Sequence, residues 1–154
     1  MSIVKKVLVA LLIVLVILQF IRPSRNTGVS LNDETRSSYN ITPEMEQLLK
    51  TSCFDCHSNN TIYPWYTNIQ PVGLWLQNHV NEGKGELNFS ELKSYSPKKL
   101  DHKFEEIVEM IKENEMPLSS YTIIHGDAKL SQQQRELIVN WANQNRTAIN
   151  YKEE

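Results

Sequence analysis

The chain has 154 residues, 40% of them hydrophobic, which is enough for one domain with a core of its own. Its 16 lysines and arginines face 18 aspartates and glutamates, and residues 1–26 hold four of the bases (Lys5, Lys6, Arg22, Arg25) and no acid. Residues 27–154 are therefore acidic at net −6, which excludes the basic footprint of a nucleic-acid binder.

From Val7 to Leu18 every residue is apolar, and the run continues through Gln19 to Phe20 and Ile21. A uniform terminal run behind Lys5 and Lys6 reads as a signal peptide or a membrane anchor, not as a core helix. It is short for a bilayer core of about 30 Å, which takes about 20 apolar residues. Ile3 and Val4 lengthen it, and the flanking Lys and Arg side chains can snorkel. The following "QFIRPSRN" has no small-x-small cleavage pattern and no cysteine to carry a lipid. Residues 1–26 are therefore expected to form an uncleaved transmembrane helix. Lys5 and Lys6 favour a cytoplasmic N-terminus, while Arg22 and Arg25 argue the other way.

Residues 27–41 are polar with little periodicity and read as a linker. The folded domain is expected over residues 42–150. It opens on a short helix with Thr42 as N-cap, Pro43 at the first position and Met45, Leu48 and Leu49 on its apolar side. This helix runs into Cys53-Phe54-Asp55-Cys56-His57, which contains both cysteines of the chain. A second helix is expected from Pro71 to about Glu82, with Val72, Trp75, Leu76 and Val80 as its stripe, ended by Gly83 and Gly85. The segment "ELNFSEL" is too short to classify. Ser96 and Pro97 open a third helix whose stripe is Leu100, Phe104, Ile107, Val108 and Ile111; it should stop near Glu115, because Met116 precedes a proline. A capping box of Ser131 and Gln134 opens the last helix, with Leu137, Ile138, Trp141 and Ala142 inward. No alternating apolar pattern is long enough for a sheet. The fold class is all-α, with long loops of the kind that serve a ligand or cofactor.

Cys-x-x-Cys-His is the attachment pattern of c-type haem. Two thiols at this spacing form thioethers with the haem vinyl groups, and the adjacent imidazole meets the iron, so Cys53 and Cys56 attach and His57 is the proximal ligand. A thiol redox pair shares the spacing but follows a strand in a βαβ unit, and here a helix precedes it. Zinc needs about four ligands, and no second cluster is present. One covalent haem c also agrees with the apolar run, since two exported thiols would otherwise form a disulfide. Attachment outside the bacterial cytoplasm implies a single-pass protein of the inner membrane, with its domain on the periplasmic side.

A six-coordinate iron needs a distal ligand, usually Met or His. Met116 is the first choice, on a loop that Pro117 holds extended. His79 is the rival, beside the stripe of the second helix. His125 is third, in a loop, and His102 is expected to be solvated. Met45 and Met110 read as core. Tyr63, Trp65, Tyr66 and Trp75 are expected to pack against the macrocycle. The second nitrogen of His57 should donate to a carbonyl near Pro64 or Pro71.

The stretch "SCFDCHSNNTIYPWYTNIQPVGLWLQNHVNEGKGELNFS" resembles the haem-binding domain family of small exported c-type proteins, which carry this motif before an Asn-rich turn and a Tyr-Pro-Trp-Tyr stretch. "EMPLSSYTIIHGDAKLSQQQRELIVNWA" is similar to the family's C-terminal part and, more loosely, to the Met-Pro loop and last helix of class I cytochromes c. The resemblance covers roughly residues 42–145. It implies a cytochrome c-like helical domain in which Cys53 and Cys56 attach haem, His57 is proximal and Met116 matches the distal methionine. The loop after Met116 is longer than in compact class I cytochromes. The expected function is one-electron transfer outside the cytoplasm with a redox protein as partner. The alternatives are a haem sensor or binding module, a haem peroxidase and, more distantly, a disulfide oxidoreductase.

Overall fold

The structure is a computed structural model that describes residues 2–151, and the secondary structure among them is helical, with a single isolated bridge between Thr27 and Asn60 and no strand. The helices are α1 (Ile3–Leu18), α2 (Asp33–Ser38), α3 (Pro43–Ser52), α4 (Phe54–His57), α5 (Val72–Glu86), α6 (Pro97–Lys112), α7 (Ser119–Thr122) and α8 (Gln132–Ile149). Short 3₁₀ turns cover Trp65–Asn68, Phe89–Ser94 and Gly126–Ala128.

Capping does what the sequence implies. The hydroxyls of Thr42 and Ser96 accept from Met45 N and Lys99 N, each beside a proline at the helix start. Ser131 and Gln134 form a reciprocal capping box at the head of α8. Helix α6 ends at Lys112, three residues earlier than expected, because Asn114 takes a left-handed φ of 62°.

The core forms where α6 packs on α8, with α3 also in contact with α8. Phe104, Ile107, Val108 and Ile111 meet Ile138, Trp141 and Ala142, with Met45, Leu48 and Leu49 beside them. Each of the Val, Leu, Ile, Phe and Met side chains among these contributes about 1.5–3 kcal/mol on burial. Phe104 lies edge-on to Trp141, ring centroids 5.4 Å apart, and the indole N–H donates to Tyr39 O at 2.8 Å. Leu137, expected inward, is 38% exposed, one step off the stripe that faces α6.

Two expectations need correction. Residues 27–41 are not a free linker: Leu31 and Ile41 are in the core, Thr35 is buried in α2, and Arg36 bonds both Glu46 carboxylate oxygens. Helix α5 runs through Gly83 and Gly85 to Glu86, for a reason given below. The expected transmembrane helix is present only as α1, whose 16 residues span about 24 Å at about 1.5 Å each. Among the described residues no helix is long and apolar enough to cross a membrane. None of the α1 residues is buried against the domain.

Candidate functional site

The motif sits at a break between two helices. Cys53 ends α3, its N–H bonded to Leu49 O, and its φ and ψ of −131° and −41° leave the helix before α4 restarts. Cys56 N and His57 N both donate to Cys53 O, at 3.2 and 2.9 Å, so both thiols and the imidazole issue from one turn. Phe54 anchors that turn in the core against Phe89. Buried Ser58 stops it by donating to Phe54 O at 2.8 Å. Cys53, Cys56 and His57 are left half-buried.

His57 Nδ1 lies 2.9 Å from Gly83 O and 3.1 Å from Leu87 O. Carbonyls only accept, so Nδ1 carries the proton and Nε2 keeps its lone pair free for a metal. The acceptors belong to the end of α5, not to the loop near Pro64 or Pro71. Burial lowers the imidazole pKa, against the pull of the two carbonyls, and so favours the neutral form.

This contact explains the glycine inside α5. A Cβ on Gly83 would lie 2.8 Å from Cys56 O and 3.0 Å from Cys56 Cβ. The helix can bring the Gly83 carbonyl to His57 only if position 83 has no side chain.

The thiols are both free. Burial, with a smaller push from Cys56, raises Cys53 to about 12; burial and the Asp55 charge raise Cys56 to about 11. A thiol exchange pair depends on the opposite shift, because the thiolate is the nucleophile. The described residues also contain no group of three or more His, Cys, Asp or Glu that could hold a metal ion by themselves. Neither the thiol-exchange reading nor the zinc reading gains support from these features.

Two adjoining cavities open beside the motif. One, about 290 Å³, is lined by Cys53, Cys56, His57, His79, Met116 and Tyr121 among others. The other, about 240 Å³, is lined by Cys53, His57, Phe89, Ile107, Met110 and Met116. They share Ser52, Cys53, His57, Glu86, Met116 and Pro117. Together they fall in the range of cofactor clefts, roughly 300–1,000 Å³. Ser52 Oγ is buried on their common wall with no hydrogen-bond partner among the described residues. An orphaned hydroxyl of this kind costs about 1–3 kcal/mol. The donor set, the free Nε2, the cleft and the orphaned hydroxyl all fit a haem.

Met116 and His79 line the 290 Å³ cavity together, and only Met116 also reaches the second one. His79 Nδ1 faces Trp75 O at 3.1 Å and so carries the proton, which leaves its Nε2 free. His125 Nε2 is engaged by the Tyr66 hydroxyl at 2.8 Å, and its ring stacks on Tyr121 at 4.3 Å. His102 is exposed beside Glu105 and Glu106. Met45 is core, whereas Met110 lines the 240 Å³ cavity. Of the four aromatics, Tyr66 and Trp75 line a third space of about 80 Å³ that begins at Cys56 and His79. Tyr63 turns away from these cavities, donating to Gln77 Oε1 and accepting from Asn26 N. Trp65 also lies outside them and is exposed.

Sequence reasoning missed Asp55. Its Oδ1 accepts from Ile62 N at 2.9 Å and its Oδ2 from the Tyr121 hydroxyl at 2.8 Å, so one side chain within the motif ties down both the loop that follows it and helix α7. The nearby carboxylate and burial together raise the Tyr121 phenol pKa, burial more. An aspartate between two cysteines carries no pattern that would announce this. Gly83 carried a signal, a glycine within a helical stripe, but it read as a helix stop.

The family model described as a haem-binding domain matches residues 13–144, from the second half of α1 through most of α8. No curated protein and no solved structure matches the chain. With its motif, cleft and free imidazole nitrogen in place, the chain belongs to the haem-binding domain family.

Proposed function

We propose that the chain is a monohaem c-type cytochrome domain that transfers single electrons on the periplasmic side of a bacterial inner membrane, held there by α1. The observation that carries this is the pairing of Cys53 and Cys56 on one turn with a His57 whose Nδ1 is held by two carbonyls. Haem bound there supplies an iron that takes up and gives back one electron. Cys53 and Cys56 would hold it by thioethers, and His57 Nε2 and Met116, with His79 as the alternative to Met116, would ligate its iron. Gly83 O and Leu87 O keep the His57 ring from rotating and make it a better donor. Phe89, Ile107 and Met110 give the cleft an apolar wall against which the ring would pack.

Support for the anchor comes from the backbone beyond Leu18. Gln19, Phe20 and Ile21 N–H groups bond Val16, Ile17 and Leu18 carbonyls, so turn-like bonding continues to residue 21. Residues 3–21 then approach about 28 Å if the rise stays near 1.5 Å, close to the bilayer core of about 30 Å.

The test is intact mass and a pyridine haemochrome spectrum on protein made with haem-maturation machinery, which should show one covalent haem. A chain at apoprotein mass with two alkylatable thiols would end the reading. Met116→Ala should then abolish the near-infrared sulfur-to-iron band and lower the potential; if His79→Ala changes the ligand field instead, His79 is the distal ligand. A high-spin spectrum with an open sixth position would favour the sensor or peroxidase over the electron carrier.

A further inference from the structure

Several exposed apolar side chains gather where α1 ends. Gln19 and Gln70 exchange two hydrogen bonds, Gln19 Nε2 to Gln70 O and Gln70 N to Gln19 Oε1, each at 3.0 Å. Gln70 Nε2 donates to Ile21 O at 3.1 Å, and its Oε1 accepts from Leu74 N in the first turn of α5. One fully buried glutamine thus caps α5 and fastens the end of α1. Arg22 Nη1 bonds Asn68 O at 2.8 Å and Arg25 Nη2 bonds Asn68 Oδ1 at 2.6 Å. The apolar helix therefore joins the domain without a swivel. Around this clamp Trp65 is 75% exposed, Ile69 48% and Phe20 82%, and none of the three lines a cavity of the motif.

A phospholipid headgroup layer is the partner this composition fits. An indole and two aliphatic or aromatic side chains beside two arginines, at the level where an apolar helix stops, is the chemistry the interface selects: the rings lie among glycerol and carbonyl groups while guanidinium heads reach phosphates. We propose that the turn Trp65–Ile69 is a second membrane contact, seated in the headgroup layer beside the end of α1. The Gln19–Gln70 clamp then fixes the tilt of the domain and holds its cleft at one height above the bilayer. This contact rests on the reading of α1 as the anchor.

The test replaces Leu12, Ile69 or Asn140 in turn by photoreactive benzoylphenylalanine in the full chain, in vesicles of phosphatidylcholine and phosphatidylglycerol, and reads the adducts by mass. Leu12 reports α1, Ile69 the turn, and Asn140 the exposed side of α8. Lipid adducts at 12 and 69, with the yield at 69 at least tenfold that at 140, are expected. Lipid at 12 with 69 no higher than 140 overturns the contact and leaves the anchor standing. Chain-to-chain adducts at 69 overturn it in favour of a second copy. An absence of lipid at 12 ends the anchor reading, and the contact with it.

Discussion

Gly83 and Gly85 stand two residues apart in α5, and adding the same methyl to each should move stability in opposite directions. Replacing a helical glycine by alanine gains up to about 1 kcal/mol from backbone entropy, somewhat less near a helix end. Gly85 has nothing within 4 Å of an added Cβ, so Gly85→Ala should realise that gain. At Gly83 the methyl meets backbone, Cys56 O at 2.8 Å, and a carbonyl cannot rotate aside as a side chain tip can. Helix and motif must part by several tenths of an ångström, and overpacking of this kind costs about 1–3 kcal/mol. The separation also lengthens the 2.9 Å contact of His57 Nδ1 with Gly83 O, a hydrogen bond worth about 0.5–1.5 kcal/mol. Gly83→Ala should therefore be less stable than Gly85→Ala by about 1–4 kcal/mol. Urea unfolding of the two variants and the parent, compared at constant m-value, reads the difference directly. Equal stabilisation of both variants would refute the close approach of α5 to Cys56 and, with it, the account of how His57 is oriented.

Other expectations follow from the same structure. In chain free of haem, absorbance near 240 nm should show no thiolate below about pH 9, because burial raises both thiols to about 11 and 12; since those pKa values lie above the ordinary 9, the thiols' share of stability is complete below pH 9 and is lost as pH rises through the folded values. Thiolate at neutral pH would restore the redox-pair reading. Glu46, held down to about 2 chiefly by its hydrogen bond from Arg36 and then by Lys50, should stabilise the fold above about pH 4.5 and stop doing so as pH falls toward 2; Glu46→Gln should flatten that part of an acid titration followed by circular dichroism. Phe104→Ala, which empties a fully buried position against Trp141 and Tyr39, should cost about 3–5 kcal/mol, visible as a large fall in melting temperature.

The elements with their own punctuation were legible in the chain. Thr42-Pro43, Ser96-Pro97 and Ser131 with Gln134 mark helix starts by local hydrogen bonds, and the Leu100–Ile111 stripe marks a buried face by its period. The Cys-x-x-Cys-His pattern was legible because its chemistry lies within five consecutive residues. Contacts between distant segments were not. Leu31 and Ile41 sit in a polar stretch without period, so only packing on α3 and its neighbours made residues 27–41 part of the domain. Gly83 looked like a stop because its use depends on how near Cys56 comes. Asp55 became a tie between the loop at Ile62 and helix α7 only once Ile62 and Tyr121 were folded around it. Where the main helices begin, and that two thiols and an imidazole lie within five residues, could be read from the chain alone, because those properties are local. Only the tertiary structure decided which nitrogen of His57 is free, and that Met116 and His79 share its cleft, because carbonyls and side chains from α5 and the loop after α6 must arrive there together.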